Sequence, residues 1–224
     1  MASRLHPFVT DFAYHIFNRG VAKQPIFTSQ REYKHFILTL QFYMYGNTTI
    51  RLSRFLEYAL EERNNYFRTL KENSKPLIEI FAYSLLPNHY HLLVRQKVDG
   101  GIQKYMSLVG NSYAKYRNTR SKRVGPLWQG PYNDVYVETE DQFLHLSRYI
   151  HLNPFVSGVV TLNDLWKYPY SSLPTYLHDF HENFVNTDEI LSFFHNNPDK
   201  YRDFLKDHAW YAKELTEIKH LLLE

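Results

Sequence analysis

Leu85-Leu86-Pro87-Asn88-His89-Tyr90-His91-Leu92-Leu93-Val94 joins two apolar runs across a proline–asparagine step. The run before it, Leu77 to Leu86, is almost wholly apolar, and Pro87-Asn88 is a turn signal, so the pattern predicts a hairpin of two strands. Residues i and i+2 of a strand share a face. His89 and His91 therefore present two imidazoles to one side of a sheet while Tyr90 points to the other. Two imidazoles on one face are two arms of a metal site.

Outward from the hairpin, Phe12 to Asn18 predicts a first strand that ends at Arg19-Gly20. Ser29 to Tyr45 has helical spacing (Phe36, Ile37, Leu40) behind a Thr28 or Ser29 cap, and Gly46-Asn47 closes it. Leu52 to Leu70 predicts a second helix, followed by a polar linker to Pro76. Ile102 to Arg120 carries apolar and aromatic residues at three-to-four spacing. Tyr132 to Val137 predicts a fourth strand and Thr139 to Leu152 a helix. Without the insertion at about 50–76, the order is β-α-β-β-α-β and then a helix. That is an α+β, ferredoxin-like core: an antiparallel sheet with helices on one face. The expected organisation is a catalytic domain over 1–178, including the insertion, and a helical extension over 179–224. Helices at Asp188–Asn196 and Pro198–Lys213 would pack on the core or shield its basic face.

The 224 residues include no cysteine, which excludes disulfides and thiolate metal sites and fits a cytoplasmic, nucleoid-associated protein. Met1 to Thr10 lacks the apolar run of a signal peptide, and no stretch approaches the roughly 20 apolar residues of a membrane helix. No Gly-rich phosphate loop is present. The net charge is only +3, yet residues 1–178 carry +8 and residues 179–224 carry −5. Gly100 to Asn133 holds Lys104, Lys115, Arg117, Arg120, Lys122 and Arg123 with no acid, a pattern that attracts polyanions or simply forms a solvated helix face. Aromatics make up 17% of the chain, enough for an aromatic core and for rings that stack on bases.

The helix after the fourth strand completes the chemistry. Thr139-Glu140-Asp141-Gln142 fits a capping box, and Pro154 predicts the other end, near Leu152. At about 100° per residue, Gln142, Tyr149 and Asn153 fall within roughly 40° of one another, beside an apolar stripe of Phe143, Leu146 and Ile150. Tyr149 then lies at the border of the buried face, within reach of the sheet that presents His89 and His91. Two neutral imidazoles and the Asn153 amide oxygen could hold a divalent cation, a Lewis acid toward a phosphoryl oxygen. A phenol attacking a phosphodiester would give a phosphotyrosine that conserves the bond for rejoining. The phenol pKa of about 10 calls for help with ionisation, and His145, one turn earlier, is a candidate base. Mg²⁺ is the expected ion in cells, with Mn²⁺ working in vitro. Against this stand plain readings: a chance His-x-His, a packed tyrosine, an asparagine ending a helix. The joint order of the pieces is what lifts them.

Those pieces resemble the HUH single-tyrosine transposases, and most closely the branch of REP-associated tyrosine transposases. The matching segments are Tyr14-His15-Ile16-Phe17-Asn18-Arg19-Gly20 with Gln24-Pro25-Ile26-Phe27, then Leu86 to Leu93, Leu127-Trp128-Gln129-Gly130-Pro131-Tyr132, and Tyr149-Ile150-His151-Leu152-Asn153-Pro154. The resemblance implies that His89 and His91 are the HUH ligands and that Asn153, where some members have glutamine, is a third. It implies that Tyr149 is the nucleophile, joining the 5′ phosphate of single-stranded DNA and freeing a 3′ hydroxyl. The implied partner is a DNA hairpin with a short guide sequence. Asn18, Arg19 and the run Lys115, Arg117, Arg120, Lys122 and Arg123 are candidate contacts, with Trp128 and Tyr132 as candidate stacking rings. The insertion and the acidic tail depart from the pattern and bear on substrate choice, and the tail bears also on monomer or homodimer. Two alternatives compete with a DNA nickase and strand transferase. One is a non-catalytic hairpin-binding regulator derived from a transposase. The other is a metallohydrolase of phosphate esters or RNA in which Tyr149 merely packs.

Overall fold

The structure, a computed structural model, describes residues 7–46, 48–177 and 182–221, with residues 214–221 as backbone only. Four strands form one antiparallel sheet in the order β2-β3-β1-β4. They are β1 (Ala13–Arg19), β2 (Ile78–Leu86), β3 (His89–Gln96) and β4 (Asn133–Tyr136). Helix α1 (Gln30–Phe42) links β1 to β2, and α4 (Gly101–Arg120) links β3 to β4. This is the split βαβ order that the hydrophobic pattern predicts.

The sheet is apolar on both sides, so both sides must be covered. Tyr14, Ile16, Tyr90, Leu92 and Val94 meet α1 and α4 in one core, as expected for the two helices of a ferredoxin-like unit. Ala13, Phe81, Ala82 and Leu93 meet α5 (Glu140–Val156) in a second core on the opposite face. The helices after α5 belong to that second core, beginning with Leu165 of α6 (Leu162–Leu165) and Leu173 and Tyr176 of α7 (Leu173–Tyr176). Ile190 and Leu191 of α8 (Asp188–Ser192), and Tyr201, Leu205 and Ala209 of α9 (Pro198–Leu221), are buried there. The acidic helices α8 and α9 thus pack behind α5, while Phe184 ahead of them is buried in the α1–α4 core.

The insertion, the end of α5 and the tail helices differ from the sequence pattern, α8 stopping at Ser192 and α9 running on to Leu221. The insertion is two helices, α2 (Leu52–Phe55) and α3 (Leu60–Asn73), where one was expected. At the break, Ala59 N–H donates to Glu62 Oε2 at 2.7 Å and Arg63 Nε to the Tyr58 carbonyl at 2.9 Å, so side chains satisfy the interrupted backbone. Helix α5 runs on to Val156 with Pro154 inside it. In the last turn the missing N–H forfeits a single bond, and the Pro154 carbonyl accepts from Val159 and Val160 at 2.9 and 3.2 Å. The capping box is half formed: Thr139 Oγ1 accepts from Gln142 N, while Gln142 Oε1 accepts from Glu138 N.

Glu182 accepts from the buried Tyr83 hydroxyl at 2.8 Å. Burial pushes its carboxyl up to about 7 from the usual 4.5, and the Tyr83 hydrogen bond opposes that shift. The folded state therefore favours the protonated acid. Its contribution to stability is complete below about 4.5 and is lost as pH rises through about 7. Glu182→Gln should melt a few degrees above wild type at pH 8 and level with it near pH 4.5, as read from thermal melts across that range.

Candidate active site

The β2–β3 hairpin sets the position of both histidines. The Pro87 carbonyl accepts from Ile26 N at 2.7 Å and Phe27 N at 2.9 Å, and the Asn88 carbonyl accepts from Gly20 N at 2.8 Å. A Cβ at residue 20 would lie 2.2 Å from the Gln24 carbonyl oxygen, so this turn takes only glycine. Registered against β1, His89 faces Arg19 and His91 faces Phe17. The His89 and His91 rings stand 5.1 Å apart, nearly perpendicular.

Each ring has one nitrogen engaged. His89 Nδ1 lies 2.6 Å from Asn88 Oδ1, an acceptor, so the Nδ1–H tautomer is held and Nε2 carries the free lone pair. His91 Nδ1 lies 2.9 Å from His15 Nε2, which leaves its Nε2 unengaged. His15 is a member of this cluster that sequence reasoning missed. It is 8% exposed and stacks on His91 at 5.1 Å. The alternation of β1, which puts His15 and Phe17 on one face, was the available signal, but the partner strand could not be read from it. Burial lowers the pKa of His89, His91 and His15, the last to about 4, so the imidazoles are neutral at physiological pH.

Helix α5 brings Tyr149 and Asn153 over these rings. The Tyr149 ring stands edge-on to His91 at 5.4 Å and to His15 at 5.9 Å. It is 48% exposed, the border position that the helical wheel predicts, whereas Asn153 is only 5% exposed. The Asn153 side chain lies beside both His89 and Tyr149. Burial raises the Tyr149 phenol above its ordinary value and the Asn153 side chain pulls it back. Tyr149, His89 and His91 line a cleft of about 710 Å³ that also takes in Asn18, Arg19, Lys23, Gln129 and Gly130, with the buried Asn153 behind its wall. Asn18 is pinned there by Nδ2 donating to the Gly130 carbonyl at 3.1 Å, and Arg19 Nε donates to Gln129 Oε1.

A metal could be held by His89 Nε2, His91 Nε2 and the Asn153 amide oxygen; the His89 tautomer and the neutral rings fit that task. Among the described residues no group of three or more His, Cys, Asp or Glu is arranged for a metal, so the amide is needed to complete the set. His145 does not join the cleft. Its Nδ1 accepts from Arg148 at 2.6 Å and its ring lies against Phe204 of α9, which removes it as a base for Tyr149. The basic run of α4 divides. Lys115, Arg120 and Lys122 are exposed, and Arg123 is half-buried with Nη1 on Asn118 at 3.4 Å. Arg117 is buried, its Nε 3.5 Å from Glu32, so it ties α4 to α1 and is not free to meet a ligand. Trp128 donates Nε1–H to the Gly110 carbonyl at 3.1 Å and packs on Tyr90, with part of its ring exposed.

The family model described as "Transposase IS200 like" matches residues 47–153, a segment that contains His89, His91, Tyr149 and Asn153. Among solved structures, a REP-associated tyrosine transposase bound to a REP hairpin shares the fold, with a TM-score of 0.53 at 14% identity over 84% of this chain and 90% of that one. A protein from Deinococcus radiodurans R1 assigned as a transposase aligns with a TM-score of 0.36 at 13% identity, over 66% of this chain and 95% of that one. At that score it bears on neither fold nor function. No curated protein matches the chain by sequence. Over residues 47–153 the chain is similar to the IS200-like transposases, and its fold is shared with a REP-associated tyrosine transposase. Among the described residues no helix is long and apolar enough to cross a membrane.

Removing Arg117 would leave the Glu32 carboxylate, which is 3% exposed, to its hydrogen bonds from Thr28 and the loose contact of Arg120 at 3.8 Å. Arg117→Ala should cost about 3 kcal/mol in urea denaturation.

Proposed function

We propose that the chain is a metal-dependent nicking and joining enzyme for single-stranded DNA, acting beside DNA hairpins through a 5′-phosphotyrosine. The observation that carries this reading is the convergence of Tyr149, His89 and His91 on one cleft, with Asn153 beside His89 and Tyr149. The similarity to a transposase solved with a REP hairpin supports DNA as the substrate class.

The Tyr149 oxygen attacks the phosphorus of a phosphodiester. The P–O3′ bond breaks as the O–P bond to tyrosine forms; the freed 3′ oxygen takes a proton, and the phenol proton leaves to solvent over the exposed side of the ring. Attack by a 3′ hydroxyl on the phosphotyrosine reverses the step and rejoins a strand without external energy. A divalent cation, Mg²⁺ or Mn²⁺, would supply Lewis-acid polarisation of a phosphoryl oxygen. His89, His91 and Asn153 would hold it. Asn153 has a second task, since beside Tyr149 it favours the phenolate against the cost of burial. Arg19, in the cleft wall, offers a guanidinium to the phosphate.

The test is a denaturing gel with labelled single-stranded hairpins from the DNA flanking the gene, with Mg²⁺ or Mn²⁺. Wild type should give a metal-dependent covalent adduct that Tyr149→Phe and His89→Ala both lose. Tyr149→Phe should bind the hairpin within about tenfold of wild type, since the phenol contributes one hydrogen bond at most. An adduct that persists in Tyr149→Phe would overturn the assignment of the nucleophile. Tight binding with no adduct under either metal would favour a non-catalytic hairpin-binding regulator.

A further inference from the structure

A second cavity, of about 1110 Å³, opens between α1, α4 and the start of the insertion. Its walls carry Arg31 and Lys34 from α1, Arg51 at the head of α2, and Lys115 and Arg120 from α4, and no carboxylate. Four of these cations, Arg31, Lys34, Arg51 and Lys115, are exposed and form no ion pair among the described residues. Arg120 keeps a loose contact with Glu32 at 3.8 Å. A parallel pair of rings, His35 on Tyr116 at 3.6 Å, lies in the same wall. Three elements distant in sequence thus aim like charge into one concavity. That arrangement is repulsive unless a polyanion fills it.

The groove is not isolated. A smaller cavity of about 310 Å³, lined by Gly110, Trp128 and Tyr132, shares Ser107 and Asn111 with it. At its other end this cavity shares Asn18, Gly130 and Pro131 with the Tyr149 cleft. The three concavities form one track from the cleft, past two aromatic rings, to the basic groove. From Ser107 to Arg120 helix α4 rises about 20 Å, the length of roughly six phosphates at 3.4 Å per nucleotide along one strand.

We infer that the groove built by α1, α4 and the insertion binds the phosphodiester backbone of the DNA that leads away from the Tyr149 cleft. The insertion thereby adds a substrate-holding wall: Arg51 faces the cations of α1 and α4 because α2 begins there. The contacts are charge-driven, so they add affinity and orientation and carry no sequence preference. The inference rests on the DNA-processing reading only in taking DNA as the polyanion.

The test is fluorescence anisotropy of Arg31→Ala/Lys34→Ala/Arg51→Ala across a salt series, with circular dichroism as the check of folding. The probes are a labelled hairpin with an unpaired flank and an unpaired strand of equal length. All three side chains are exposed, so the fold should hold. Affinity should fall at least about tenfold at moderate salt, and the slope of log K against log salt should flatten by about 2 to 3, since each lost phosphate contact removes about 0.7 to 0.9. Loss with the hairpin alone assigns the groove to the paired stem; loss with both probes assigns it to the unpaired flank. An unchanged affinity and slope in a folded variant would overturn the inference. Wild-type adduct formation is scored apart: a flattened slope without any adduct would sink the catalytic reading and leave the groove standing, and an adduct with an unchanged slope would do the reverse.

Discussion

The antiparallel ladder between β1 and β3 fixes in one register the two histidines, the turn that follows β1, and the face on which each side chain emerges. Side chains alternate along a strand, so a slip by one residue would send both imidazoles into the α1–α4 core and bring Tyr90 out to the cleft. The ladder is guarded against such a slip from both ends. Leu92, Leu93 and Val94 are fully buried, on alternating sides of the sheet. The Pro87 and Asn88 carbonyls are bonded by the backbone of residues 20, 26 and 27. Because β1 and β3 are far apart in the chain, the pairing also decides that His15 lies against His91.

Tyr149 depends on a second constraint, the seating of α5, and here the acidic tail has a structural task. His151 is fully buried in α5, where burial holds its pKa at about 3 and the ring is neutral. It is satisfied on both nitrogens, by the Tyr201 hydroxyl of α9 at 2.7 Å and Ser172 Oγ at 2.8 Å. Tyr201 also meets Ser147 Oγ at 3.1 Å, and Ser172 Oγ accepts from Tyr83 N of the sheet at 2.9 Å. A satisfied polar network inside an apolar layer admits one geometry, since any rotation of α5 would leave several of its atoms unpaired at about 1–3 kcal/mol each. The helix that carries Tyr149 and Asn153 is therefore keyed to the sheet and to α9 by the residue between them.

What could be read from the sequence follows the reach of local rules. The His-x-His strand, the Tyr149–Asn153 spacing and the split βαβ order are matters of period and turn chemistry within single elements, and all are legible. The features that escaped depend on non-local pairing or on side chains overriding the backbone pattern. His15 needs the β1–β3 register. The break at residues 56–59 needs Glu62 and Arg63 to take up backbone groups, and the continuation of α5 through Pro154 needs the turn at Val159 and Val160. Arg117 looks like its basic neighbours until α1 brings Glu32 against it, and His145 sits one turn from Tyr149 yet is turned toward α9. The basic groove was half visible: the cations of α4 stand out in the sequence, while Arg31, Lys34 and Arg51 gain meaning only when the fold gathers them.

The charge balance of the cleft completes the argument. Three imidazoles beside a proposed phosphate site would suggest an anion hole, but burial keeps them neutral, and the cleft wall supplies only Arg19 and Lys23 as fixed cations. A phosphodiester entering there loses hydration without full compensation, and the phenolate needed for attack adds a second negative charge. Neutral nitrogen donors and an amide oxygen, with the His89 tautomer held by Asn88, are a donor set that keeps all of a divalent cation's charge for those two anions. Protonated histidines would meet the phosphate directly but could ligate nothing. The burial that makes the rings poor cations is what suits them to the role proposed for them, and it leaves long-range attraction of the DNA to the exposed lysines and arginines outside the cleft.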